Sequence, residues 1–99
     1  MITVYGDPIS GNCYKLALIL SLTRCQHHWI DVNVVKGEAR SADFLLKNPN
    51  GRVPLVVLED GTFLAESNTC LFFFADHSDY WPADSRSQAQ VLQWMFFEQ

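Results

Sequence analysis

An α/β domain, with a four-stranded mixed sheet flanked by helices, is the fold class this sequence predicts. Three observations carry that reading. β-prone runs alternate with helical patterns through the first half of the chain. An Asp60-Gly61 pair separates two apolar runs, which is a strong hairpin signal. Finally, 48% of the 99 residues are hydrophobic, enough for one small domain with a real core but little stability to spare.

Ile2 to Tyr5 read as the first strand, and Gly6-Asp7-Pro8 breaks it. Pro8 to Asn12 follow as a short polar loop. From Cys13 the pattern turns helical, with Leu16, Leu20 and Thr23 near one face and Ala17, Ile19 and Leu22 beside them. This helix is apolar nearly all round, so it is expected to be well buried, ending near Arg24-Cys25. His28 to Val32 form a second strand. A strand–helix–strand unit of this length implies a right-handed parallel crossover. Asn33 to Arg40 read as an irregular polar loop. Ser41 is a good N-cap for a short helix over Ala42 to Lys47, which Pro49 stops. Leu55–Glu59 and Thr62–Leu64 are the hairpin strands. A further helix opens at Glu66-Ser67 and runs to about Ala75, with Leu71, Phe72 and Phe74 as its expected core contribution.

Residues 78–84, with Trp81-Pro82, read as a linker, and Ser85 to Glu98 as a last helix with Val91, Leu92, Met95 and Phe96 on one face. That face, with Trp94 and Phe97, has little left to pack against, and the chain stops at Gln99 without a C-cap. The expectation is therefore a unit at 1–77 followed by the first helix, at 85–99, of a missing all-α C-terminal domain. The alternative is that this helix folds back onto the unit. The order β-α-β-α-β-β-α plus a trailing helix is the thioredoxin-like layout.

The formal charge is −4 and no basic patch appears, which argues against nucleic acid as a partner. No apolar run approaches the roughly 18 residues of a membrane span. Met1 leads straight into strand-like Ile2-Thr3-Val4-Tyr5, so no signal peptide is expected. The three cysteines, Cys13, Cys25 and Cys70, are an odd number without metal spacing. They fit a reducing cytoplasm better than a disulfide framework, and no metal site is expected.

The stretch from Asn48 to Ser67 pivots on Val53-Pro54. Proline lacks an N–H and belongs at the mouth of a strand, where Pro54 stands. It either simply starts the strand or adopts the cis form, for which an X–Pro bond requires only about 0.5–1 kcal/mol. The cis form turns the Val53 backbone outward, free to pair with an extended peptide.

Ser10-Gly11-Asn12-Cys13, the Gly37-to-Ser41 loop, Asn48-Pro49-Asn50-Gly51-Arg52-Val53-Pro54 and Ala65-Glu66-Ser67 together resemble the N-terminal domain of soluble, bacterial-type glutathione S-transferases. The resemblance covers essentially the whole chain. It implies a thioredoxin-like fold, glutathione as co-substrate, a helical second domain that contributes the electrophile pocket, and a homodimer.

Glutathione is an extended tripeptide with two carboxylates, an amine and a thiol. By resemblance, Glu66 and Ser67 hold its γ-glutamyl end: helix-opening N–H groups and the dipole favour a carboxylate, and Glu66 accepts from the ammonium. A plain N-cap is the alternative. The main chain of Val53, presented by Pro54, pairs with the cysteinyl residue as in strand addition. The glycine carboxylate needs a cation, and Arg40, Arg52 and Lys36 are available, each equally readable as a solvated surface charge. Ser10 holds the position of the sulfur donor, or else only caps its helix. Asn12 completes a serine-x-asparagine arrangement that resembles members with glutathione-dependent disulfide reductase activity. Tyr5 is an alternative donor, poorly placed at the end of a strand. Cys13 has the spacing of a redox Cys-x-x-Cys with serine in the first position, and reads more simply as a buried helix-start residue. His27 is expected to cap the end of the first helix region.

The function expected is thiol activation for attack on an electrophilic substrate. Reduction of a disulfide or peroxide is one alternative, and a non-catalytic assembly module is the other.

Overall fold

A computed structural model describes all residues 1–99. The strands are β1 (Ile2–Gly6), β2 (His27–Asp31), β3 (Leu55–Val57) and β4 (Phe63–Leu64). The helices are α1 (Gly11–Leu22), α2 (Ala42–Lys47), α3 (Ser67–Ala75) and α4 (Ser85–Glu98), with a 3₁₀ turn at Glu38–Arg40 before α2. The sheet has the order β2-β1-β3-β4. β1 and β2 are parallel, with Ile2 opposite His27, while β3 runs antiparallel to both β1 and β4. This is the mixed four-stranded thioredoxin-like fold that the element order predicts.

Strand alternation sorts the core into two layers. Val4 and Val56 are paired in register and face α1 and α3, where they join Leu16, Ile19, Leu20, Cys70 and Ala75. Tyr5 and Leu55, the next pair, face the other way toward Val32, Ala39 and Phe44. The sheet is thus covered by α1 and α3 on one face and by the 3₁₀ turn and α2 on the other.

Several boundaries move. α1 begins at Gly11, two residues early, because the Ser10 side chain caps it by accepting from the Cys13 N–H at 3.3 Å. It is not buried all round. Cys13, Leu16, Ile19 and Leu20 are buried while Tyr14, Leu18 and Leu22 are exposed, since only one face meets the sheet. Thr23, not His27, ends the helix, and its hydroxyl donates to Ile19 O at 2.7 Å. His27 instead opens β2, which lies one residue earlier than its apolar pattern implies. β3 is shorter than expected, because the Asp60-Gly61 turn begins to bend the chain at Leu58, whose C=O accepts from the Gly61 N–H at 2.9 Å. In α3 the deep contact is Cys70, and Phe72 is exposed on the outer side with its ring edge-on to Trp81.

Candidate functional site

The loops at one end of the sheet, together with the N-termini of α1 and α3, gather most of the expected residues. Ser10 sits in extended backbone immediately before α1. Its oxygen accepts from the Cys13 N–H, which leaves the hydroxyl proton free to donate outward. The cap and the donor roles are therefore compatible.

The loop from Asn48 to Pro54 is held by a buried asparagine. Asn48 Nδ2 donates to Arg52 O at 2.8 Å, and Asn48 Oδ1 accepts from the Asn50 N–H at 3.2 Å. Gly51 is needed here twice over. Its φ is +61°, and a Cβ would lie 2.9 Å from Arg40 Cδ. Arg40 thus packs against Gly51, and it lines the same cleft as Arg52. Both guanidinium groups are exposed and neither belongs to a salt bridge. The Val53-Pro54 bond is cis, and the Val53 N–H and C=O enter no hydrogen bond within the chain.

At the other end, Glu66 has φ +69° and ψ +116°, outside the usual regions for a residue with a side chain. Holding it there costs of order 1–3 kcal/mol. Its exposed carboxylate does not cap α3. Ser67, the first residue of α3, is buried, and its hydroxyl donates to Asn12 Oδ1 at 3.3 Å. Asn12 Oδ1 also accepts from Gln99 Nε2 at 3.1 Å.

These groups line two neighbouring depressions that share Arg52 and Val53 and together make up a groove. A cleft of about 480 Å³ is lined by Ile9 and Ser10 from the loop before α1 and by Val34 and Val35 from the loop after β2, with Arg40, Arg52 and Val53 along it. It meets a smaller recess of about 40 Å³ bounded by Asn12, Arg52, Val53, Pro54, Glu66 and Ser67. Ser10 also borders a further open hollow, formed with Gly11, Asn12, Lys15, Glu98 and Gln99 and lined by no hydrophobic residue. There Lys15 Nζ pairs with Glu98, whose carboxyl that hydrogen bond holds below its ordinary range.

Two expected residues fall outside the groove. Lys36 does not line it. Tyr5 lies on the α2 side of the sheet, edge-on to Phe44 at 6.0 Å. Cys13 is buried behind Ser10 and accepts the Asp7 N–H at 3.4 Å. Two residues read only as a strand break and as part of a motif also shape the site: Asp7 and Asn48 each use a side-chain oxygen to accept the N–H two residues on. The signal was present in Asp-Pro and Asn-Pro, since both residue types close turns of this kind. No group of three His, Cys, Asp or Glu side chains is placed to hold a metal, and no helix is long and apolar enough to cross a membrane.

Residues 9–77 match the family described as glutathione S-transferase, N-terminal domain. Among solved structures, a glutathione S-transferase from Pseudomonas fluorescens is 49% identical and superposes with a TM-score of 0.94 over 98% of this chain and 48% of that one. A glutathione transferase homologue from Sulfitobacter with bound glutathione is 28% identical, with a TM-score of 0.90 over 98% of this chain and 48% of that one. Among curated proteins, the transcriptional regulator URE2 of Saccharomyces cerevisiae is 27% identical over 97% of this chain and 30% of its own length. The chain thus spans about half of these solved relatives and about a third of that curated one.

Proposed function

This chain belongs to the family of glutathione S-transferase N-terminal domains, and from that premise we propose that it binds glutathione and activates its thiol for attack on an electrophilic substrate. One observation carries the reading. The unpaired Val53 main chain is shared by two neighbouring depressions, which between them hold the Ser10 hydroxyl, two free arginines and the start of α3. Each part matches one portion of an extended tripeptide. The γ-glutamyl carboxylate meets the opening N–H groups of α3 and the Ser67 hydroxyl, which turns to it from Asn12 Oδ1, and its ammonium meets Glu66. The cysteinyl residue pairs with the Val53 backbone as an added strand. The glycine carboxylate falls to Arg40 or Arg52.

Ser10 then donates to the sulfur. A free thiol titrates near pH 8.5, and lowering that by about two units takes roughly 2.7 kcal/mol. One hydrogen bond to a charged group supplies about 1.5–3 kcal/mol. The N-terminus of α1 adds about 0.3–1 kcal/mol. One hydroxyl and one helix end are therefore sufficient. The thiolate attacks the electrophilic carbon, a C–S bond forms, and the leaving group departs with its electron pair.

In this reading residues 1–77 hold glutathione, 78–84 are a linker, and α4 opens a helical second unit that supplies most of the electrophile pocket and completes a homodimer. The bare apolar side of α4 and the double length of the solved relatives support that division. A cytoplasmic setting suits both the thiol co-substrate and the free Cys13, Cys25 and Cys70.

Ser10→Ala tests the mechanism in the full-length protein. The pKa of bound glutathione, followed by thiolate absorbance, is expected to rise while affinity stays nearly unchanged. An unmoved pKa would eliminate Ser10 as the activator, and absence of glutathione binding at millimolar concentration would overturn the whole reading.

Two other readings have support of their own. The polar hollow beside Ser10 suits a hydrophilic disulfide better than an apolar electrophile. The thiolate would then attack one sulfur of the disulfide to form a mixed disulfide, and the other sulfur would leave as a thiolate that takes up a proton. Turnover of a glutathione-linked disulfide but not of an aryl halide would select this reductase. A curated relative named as a transcriptional regulator, URE2, favours the assembly-module reading, which a protein that neither binds glutathione nor turns over either substrate would bear out.

A further inference from the structure

The proposed function leaves unused the most enclosed carboxylate beside the groove. Asp7 is only 5% exposed and borders the main cleft. Both of its oxygens are occupied by backbone donors. Oδ1 accepts from the Ile9 N–H at 3.1 Å, and Oδ2 from the Val34 N–H at 2.9 Å, 27 residues further along the chain. Its C=O also accepts from the Ser10 N–H at 3.0 Å. Ile9 and Ser10 line the cleft from the loop before α1, and Val34 lines it from the loop after β2. A single buried side chain therefore sets the turn that delivers Ser10 and ties together the two loops that line the cleft.

We propose that Asp7 is a positioning residue for the glutathione site, with its two oxygens doing separable work. This rests on the reading that glutathione occupies the groove. Through Oδ1, which holds the Ile9 N–H, it braces the turn that the Asp7 C=O closes with the Ser10 N–H, and so aims the Ser10 hydroxyl. Through Oδ2 it pins the loop after β2 and so fixes the width of the cleft. A buried carboxylate suits the task because it is acceptor-only and can serve two N–H groups at once. An asparagine can accept through only one atom.

The test compares Asp7→Ala with Asp7→Asn in the full-length protein. Glutathione affinity is measured by calorimetry and the bound thiol pKa by thiolate absorbance. Both variants remove the same charge, so any difference between them reports the hydrogen bonds. Asp7→Ala is expected to weaken binding about tenfold, as misplaced binding walls do, and to raise the bound thiol pKa. Asp7→Asn is expected to restore the pKa, because the local turn to Ile9 re-forms. It is expected to keep the weakened affinity, because the Val34 N–H has lost its acceptor. A merely structural role would lower the unfolding midpoint of both variants without separating the two readouts.

A folded Asp7→Ala protein with wild-type affinity and pKa would overturn the proposal, as would an Asp7→Asn protein indistinguishable from Asp7→Ala in both. If Asp7→Ala does not fold, Asp7→Asn decides, and wild-type affinity in it overturns the proposal. A wild-type protein that binds no glutathione removes the underlying reading and this inference with it. Wild-type binding with unaffected variants removes this inference alone.

Discussion

Cys70 shows how a single side chain can be chemically quiet by placement. It lies fully buried in α3 between the sheet and α1, and desolvation, with the Glu66 carboxylate adding to it, pushes its thiol up from 9.0 to about 12. A thiol whose folded pKa exceeds its unfolded value contributes stability that is whole below the unfolded value and is lost as pH rises through the folded one. The window here runs from about pH 9 to about pH 12. Unfolding free energy measured by urea titration is therefore expected to fall more steeply across that window in the wild type than in Cys70→Ala. Equal slopes would show that Cys70 ionises freely in the fold. Ser10 behaves differently. Its oxygen is engaged by its own helix, so the structural role leaves the proton available rather than competing for it.

At the scale of elements, close packing decides what propensity leaves open. β1 and β2 pair in parallel from Ile2–His27 to Gly6–Asp31, and Trp29 lays its ring over the end of β1. A Cβ at Gly6 would stand 2.4 Å from Trp29 Cζ2. The indole is anchored by its N–H, which donates to Asp31 Oδ1 at 2.9 Å, and it packs against the main core. Gly6→Ala therefore has to displace a tethered aromatic ring, and overpacking of this kind costs about 1–3 kcal/mol. A matching drop in the unfolding midpoint, with a red-shifted tryptophan emission, is the expected outcome. Wild-type stability would mean that the ring swings aside freely. α2 is a contrasting case, because its start at Ser41 needs only a local cap, which accepts from the Phe44 N–H at 3.2 Å.

Across the whole molecule, the two core layers leave α4 outside. No residue of α4 is buried, and Phe96 and Phe97 are each 79% exposed. The helix is joined to the rest by polar contacts near its end, Lys15 with Glu98 and Asn68 Nδ2 with Met95 O at 2.8 Å. Val91 and Met95 are half-buried, while Leu92 and Phe96 on the same face stay exposed, as expected of a face with little to pack against. An uncovered apolar side of this kind binds apolar dyes. For a protein limited to these 99 residues, Trp94→Glu with Phe97→Glu is expected to reduce dye fluorescence while leaving the unfolding midpoint within error, since both rings are mostly exposed and their ring–ring contact is with each other. A large loss of stability would place α4 inside the cooperative unit.

What could be read directly was local. The Asp60-Gly61 hairpin, the caps at Ser10 and Ser41, the extent of α4 and the mouth-of-strand position of Pro54 each depend on a few neighbouring residues whose backbone preferences and hydrogen bonds are short-range. The resemblance carried by Ser10, Val53-Pro54 and Glu66-Ser67 was legible for the same reason, as each piece is a short motif. The one-sided burial of α1 and the outward Phe72 were not legible, because they depend on which face of the sheet or neighbouring helix each side chain meets. Helical spacing marks an apolar face but does not say what covers it. The groove itself belongs to the same class. Asp7 reaches Val34 across 27 positions, and Ser67 reaches Asn12 across 55. The sequence alone determined the layout and the candidate residues. Tertiary structure decided which of them share a groove and what holds its walls apart, because contacts between segments distant in the chain exist only once the sheet has brought their loops to one end.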